Sequence, residues 1–282
     1  MKKQGADGRR IRASTVEGIF YPQVPAQLRK AVEGLLEGSP AEEAGVRSII
    51  VPHAAFDYSG GVAAAGFKAS AGRRVDLAVL LGPVHREPIE AVLLTESQAY
   101  QTPLGIVEVE QELSQALEGH GPEFRYDEIP HLEEHCLEVE LPFLQVVHPN
   151  ARLLPLLLGR PSRKLVEKLA EALWELTRDR LESTLFVVSS NLSPFLSDED
   201  SEAYAAEVLE RIQNRDWKAL VDSPGRKSLY TCGGGCIAAI LLLHGRIGGR
   251  VTVLERASSL RAGGDPKRVV QYAAVTLSMN ES

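Results

Sequence analysis

Two histidines and a Ser-Ser-Asn turn stand where strongly apolar runs of this chain end. RSIIVP (47–52) runs into His53, LAVLLGP (77–83) leads to His85, and TLFVV (184–188) runs into Ser189, Ser190 and Asn191. Buried strands read as continuous Val/Ile/Leu runs. Open α/β sheets bind ligands in the crevice beyond the carboxyl ends of their strands. Three distant segments can therefore deliver two imidazoles and a polar turn to one place. An imidazole there is a metal ligand or a general base; the competing reading is a loop histidine satisfied by backbone hydrogen bonds. Gly82-Pro83 forces a sharp strand exit that aims His85 into the crevice. Cys232 precedes Gly233, Gly234 and Gly235 and the apolar run CIAAILLLH. A thiol at a helix N-terminus has its thiolate favoured by the orphan N–H groups and the helix dipole. A thiolate with two imidazoles is a workable site for iron, copper or zinc. The same glycines could instead hold an anion through their N–H groups, and a small buried cysteine at a tight turn is the structural alternative.

The stretch His131–His135 (HLEEH) matches the H-x-x-E-H pattern of inverted zinc proteases, which needs both histidines on one helix. Pro130 directly before it argues against that reading, and His135 reads better as an acid/base group of the pocket. Asn191 can hydrogen-bond a ligand or orient a neighbour but cannot act as a base. Ser189–Pro194 lacks the glycines of a nucleophile elbow, so a serine hydrolase is not favoured. Cys236, four residues after Cys232, could share its helix face as a redox pair or be a core residue. His120, His148 and His244 read as surface or helix-end residues.

The elements that must position these groups alternate between strand and helix. Helical spacing marks 26–37, 110–118, 162–176 and 199–213; the third is capped by Ser162 and striped by Leu165, Leu169, Leu173 and Leu176. Strand patterns mark 47–52, 75–82, 90–94, 105–109, 151–159 and 184–188, and two further strands, RVTVLERA and VVQYAAVTL, close the chain. Residues 135–147 read as an amphipathic segment that Pro142 kinks or breaks, since a mid-helix proline costs about 3 kcal/mol. The 282 residues are 44% hydrophobic and 24% charged, which is ordinary for a globular chain. The net charge of −7 and the absence of a Lys/Arg cluster argue against a nucleic-acid surface. No apolar stretch reaches about eighteen residues, so no membrane span is expected. Three cysteines do not make a disulfide framework, and a reducing cytoplasm is the natural compartment. The expected organisation is a single domain over 14–282 after a flexible leader over 1–13. Its fold class is α/β, with a central mixed, largely parallel sheet flanked by helices on both faces.

Taken together, GIFYP (18–22), PHAAFDYSGG (52–61), LLGPVH (80–85), YQTPLG (100–105), HLEEHCLEVELPFLQ (131–145), SSNLSPF (189–195), TCGGGCIAAIL (231–241) and YAAV (272–275) resemble the MEMO family, including the bacterial AmmeMemoRadiSam system protein B. The resemblance implies a fold similar to the class III extradiol dioxygenases, which are non-haem iron enzymes. It implies a metal site of two histidines and a cysteine, falling on His53, His85 and Cys232. It also implies iron or copper binding, redox chemistry and, in animal members, signalling partners. Departures cluster at the pocket: Ala55 and Phe56 where the family reads Gly-Tyr, Val84 where it carries Asn, and Asn191 and Pro194 where it carries Asp and His. Cys136 and Cys236 stand for Ser and Pro.

The leading expectation is a cytoplasmic protein whose His53, His85 and Cys232 ligate a transition metal, iron or copper ahead of zinc. His135 would exchange a proton and Asn191 make a polar contact during redox or oxygenase-like chemistry on a small molecule. The alternative is a non-catalytic module with a degenerate site, holding a peptide or an anion at the glycine turn. A hydrolase acting through His131, Glu134 and His135 is the third. No nucleic-acid or membrane partner is expected.

Overall fold

A computed structural model describes residues 2–4, 8–40, 43–86, 89–222 and 231–279. Its strands are β1 (Lys2–Gln4), β2 (Arg10–Arg12), β3 (Val46–Val51), β4 (Leu77–Pro83), β5 (Val92–Leu94), β6 (Ala99–Thr102), β7 (Gly105–Glu108), β8 (Phe124–Tyr126), β9 (Arg152–Leu158), β10 (Thr184–Ser189), β11 (Arg250–Ser258) and β12 (Gln271–Ser278). The continuous apolar runs form the middle of an eight-stranded sheet of order β11-β12-β3-β10-β4-β9-β5-β8. β3, β10, β4 and β9 run parallel, while β12, β11 and β5 introduce antiparallel pairings. β10 lies between β3 and β4, with Ser189 opposite Val51 and Val188 opposite Leu81. The carboxyl ends of these three strands are therefore level. That brings together His53, two residues past β3, with the end of β10 and with His85, two residues past β4.

The helices are α1 (Pro25–Glu37), α2 (Gly61–Ala69), α3 (Gln111–Glu118), α4 (Glu128–Glu133), α5 (Leu141–Val147), α6 (Arg163–Thr177), α7 (Asp198–Gln213), α8 (Trp217–Val221) and α9 (Gly234–Ile247). Successive strand residues point to opposite faces, and here both faces are covered. Ile49, Val51, Leu80 and Val187 pack on the side of α1, α2 and α5. Ile50, Val79, Leu81 and Val188 pack on the side of α6, α7, α8 and α9. This two-sided burial is why the strands read as unbroken apolar runs. Ser162 Oγ accepts the Leu165 N–H and Ser197 Oγ that of Asp200, so α6 and α7 start where their caps dictate. Leu165, Leu169 and Leu173 are buried, each worth about 1.5–3 kcal/mol by removal from water.

The chain is a single α/β domain with mixed sheets, as its element pattern predicts, but two local expectations fail. Pro142 does mark a break: the segment divides into a 3₁₀ turn over Glu138–Glu140 and α5, with the proline in the first turn of α5, where no N–H is needed. The leader expected over 1–13 contains β1 and β2, which join β6 and β7 in a second, four-stranded sheet. Arg12 is 1% exposed there, because the buried Glu138 carboxylate receives its guanidinium. His148 and His244 are not surface residues. Both are buried, with Nε2 satisfied by Ser70 Oγ (2.9 Å) and Ser48 Oγ (2.7 Å). Among the described residues no helix is long and apolar enough to cross a membrane.

Candidate metal centre

Beyond the level strand ends, His53, His85 and Cys232 offer donor atoms that all lie within 4.8 Å of one another. Each imidazole is held by its other nitrogen. His53 Nδ1 lies 2.8 Å from Ser189 Oγ at the end of β10, and its Nε2 is 3.5 Å from Cys232 Sγ. His85 Nδ1 lies 2.7 Å from Glu134 Oε2, and the His85 backbone N–H donates to Glu134 Oε1 at 2.5 Å. An ionised carboxylate only accepts hydrogen bonds, so the proton of His85 sits on Nδ1 and Nε2 is the nitrogen left for a ligand. Cys232 stands just ahead of α9, and its Sγ accepts the Asn191 backbone N–H at 3.2 Å. Gly233, which caps α9, must be glycine: a Cβ there would lie 2.6 Å from Ser190 Cβ. That close approach is what brings the start of α9, and the sulfur with it, against the end of β10.

The charges suit the sulfur. Burial acts to raise the Cys232 thiol, but the charge of His53 and hydrogen bonds from His53 and His85 hold it down at about 5. Burial likewise acts to lower His85, yet hydrogen bonds to Cys232 and Glu134 carry it up to about 10. At neutral pH the metal-free site is thus a thiolate facing an imidazolium. His135 completes a triangle of imidazoles, its ring centroid 5.5 Å from those of His53 and His85. Burial and the charges of His53 and His85 push it down to about 4, so it is neutral at pH 7. Phe20 packs edge-on against it at 4.9 Å. Two imidazole nitrogens and a thiolate form a mixed donor set that fits a borderline or soft transition metal.

The model of the Memo-like protein family matches residues 12–276. The chain is 32% identical over 267 residues to a MEMO1 family protein of Methanosarcina barkeri, covering 94% of this chain and 99% of that one. It is 30% identical over 280 residues to one from Sulfolobus acidocaldarius, covering 94% and 98%. The chain belongs to the Memo-like family. A crystal structure of an uncharacterized protein from Escherichia coli K12 superposes with a TM-score of 0.52 at 12% identity, covering 83% of this chain and all of that one, which is a likeness of fold alone.

Within this Memo-like fold the other singled-out residues separate. His131 is buried with both nitrogens engaged, Nδ1 at 2.7 Å from Tyr100 Oη and Nε2 at 3.0 Å from the Leu93 carbonyl. α4 also ends at Glu133, so His131 and His135 do not share a helix and the inverted-protease site is not formed. Asn191 faces the strand end: its Oδ1 accepts the His53 backbone N–H at 3.2 Å, so the side chain orients a donor-bearing loop. Cys236 is a buried residue of α9, and Cys232 precedes that helix, so the two do not share a helix face. Sequence reasoning missed Glu134 as the partner of His85 and Ser189 as the partner of His53. It also missed the Arg12–Glu138 pair beneath them, in which Arg12 donates to the backbone carbonyls of His131 (2.7 Å) and Glu134 (2.8 Å). The only available signal was a carboxylate one residue before His135.

Proposed function

We propose that this protein binds a redox-active transition metal, iron or copper in preference to zinc, through His53 Nε2, His85 Nε2 and Cys232 Sγ, and acts on a small molecule beside it. The observation that carries this reading is the convergence of donors from two strand ends and the start of α9, with the far nitrogen of each imidazole already tied. Three protein donors leave coordination positions open, unlike closed structural zinc sites. When bound, such an ion supplies one-electron or oxygen chemistry. The residues around it do the rest. Glu134 and Ser189 hold the two rings in place, and Asn191 fixes the loop of His53. Neutral His135, whose ring nitrogens take no hydrogen bond among the described residues, offers a hydrogen-bond acceptor to the bound molecule. The anion-binding alternative is weakened because the Gly233 N–H already donates to Ser190 Oγ and that of Gly234 to the Thr231 carbonyl. The use of Asn191 Oδ1 as acceptor for the His53 backbone N–H, in place of a ligating carboxylate, favours, as a second reading, a metal site that binds without turnover.

Anaerobic ferrous titration is expected to give near-stoichiometric binding, and H85A to abolish it. Because His85 holds a proton up to about 10 while Cys232 is already a thiolate, binding at pH 7 releases the His85 proton, read from calorimetry in buffers of different ionisation enthalpy. Binding by H85A equal to the wild type would remove the assignment. Glu134→Ala is expected to weaken ferrous binding by about 10–100-fold without unfolding the chain, because it frees His85 to turn; a competition titration against a chromophoric chelator measures it.

A further inference from the structure

Ser189 Oγ has three polar neighbours and one proton to give. The Cys136 carbonyl, at 2.8 Å, can only accept, and takes the Ser189 proton. The other two neighbours, His53 Nδ1 at 2.8 Å and Glu140 Oε1 at 3.0 Å, must then donate to the lone pairs of Ser189. A carboxyl oxygen donates only when it is protonated. Glu140 is 0% exposed, and among the described residues no ion pair reaches it and its Oε2 has no partner. An ionised carboxylate would be stranded there. We infer that Glu140 carries a proton at neutral pH and donates it to Ser189, which in turn keeps a proton on His53 Nδ1 and turns Nε2 toward Cys232 and the metal position. Burial independently pushes this carboxyl well above the ordinary range, opposed only by the Ser189 contact. Glu140 is thus a positioning residue that acts through Ser189, and its role rests on the metal-site reading above.

The test compares wild type, E140Q and E140L. Glutamine can still donate to Ser189; leucine cannot. In metal-free protein, the wild-type minus E140Q infrared difference spectrum is expected to show a protonated-carboxyl carbonyl stretch. With Co²⁺ as probe, E140Q is expected to bind as the wild type does. E140L is expected to bind about 10-fold more weakly, with a shifted thiolate-to-cobalt charge-transfer band. Absence of the protonated stretch overturns the inference even if E140L fails to fold, and so does a folded E140L with the affinity and spectrum of the wild type. The infrared arm needs no metal, so it decides the state of Glu140 even if the wild type takes no Co²⁺, a result that would count against the metal reading alone.

Discussion

Arg12→Met is expected to lower the unfolding free energy by about 3–5 kcal/mol, the cost of leaving one partner of a buried ion pair uncompensated. Arg12 and Glu138 are 1% and 0% exposed. Glu138 also accepts the backbone N–H groups of Thr15 (2.9 Å) and Val16 (3.0 Å) and the Tyr21 hydroxyl (2.6 Å). Burial opposes its charge, but Arg12 and these donors hold the carboxyl below its ordinary range. Methionine keeps much of the volume and none of the charge, so Glu138 would be left to its neutral donors. The damage reaches the site, because Arg12 also anchors the carbonyls of His131 and Glu134 on either side of the turn that presents Glu134 to His85. Urea denaturation at pH 7 measures the loss. The double variant R12M/E138Q is expected to recover part of it, because a neutral amide oxygen still accepts the remaining donors. Additive losses would mean that the two side chains do not act as a pair.

The second large effect is with pH. Burial pushes His148 down to about 4 and His244 to about 3, and His131 is lowered in the same direction. Unfolded, each takes up a proton near 6.5. Between that value and the folded one, the unfolded chain binds more protons than the native one. The contribution of these histidines is therefore full above about 6.5 and falls as the pH drops toward 4, by about 3 kcal/mol for a histidine shifted as far as His148. Glu140 contributes with the opposite sign, since its folded value is raised and its stabilisation is lost as pH rises. Glu134 and Glu138, held low, lose theirs only as pH falls below about 4.5. In the interval between about 6.5 and 5 the histidines thus act together with the Cys232 thiolate, held at about 5, and against Glu140. Denaturation curves across it are expected to be flatter for His148→Gln, by about 1.4 kcal/mol per pH unit, because glutamine can still donate to Ser70, whose own proton goes to the Phe67 carbonyl, and does not titrate. An unchanged slope would show that His148 is not held neutral.

The parts of the site that ride on strands were legible in the sequence. Apolar runs announce β3, β4 and β10, and the polar residue just past a buried strand announces itself by contrast, which is how His53, His85 and Asn191 stand out. Cys232 is legible through the glycines that follow it. The partners are not. Glu134 lies 49 residues from His85, and Ser189 lies 136 from His53. Nothing in local periodicity records such pairings. The same limit explains His148 and His244. Their type and position suggest water, but Ser70 and Ser48, 78 and 196 residues away, satisfy them in the core. Of the second sheet only β7 was announced, by the pattern at 105–109; β1, β2 and β6 are three or four residues long, too short for an alternation pattern to register.

An anomalous-difference map of crystals grown with ferrous iron under anaerobic conditions tests the central claim most directly. The account predicts a single peak within coordinating distance of His53 Nε2, His85 Nε2 and Cys232 Sγ, with Glu134 still bonded to His85 Nδ1. A peak seated instead among His85, Glu134 and His135, the neighbouring set of donors within 4.8 Å of one another, or no peak at any of these residues, would contradict it.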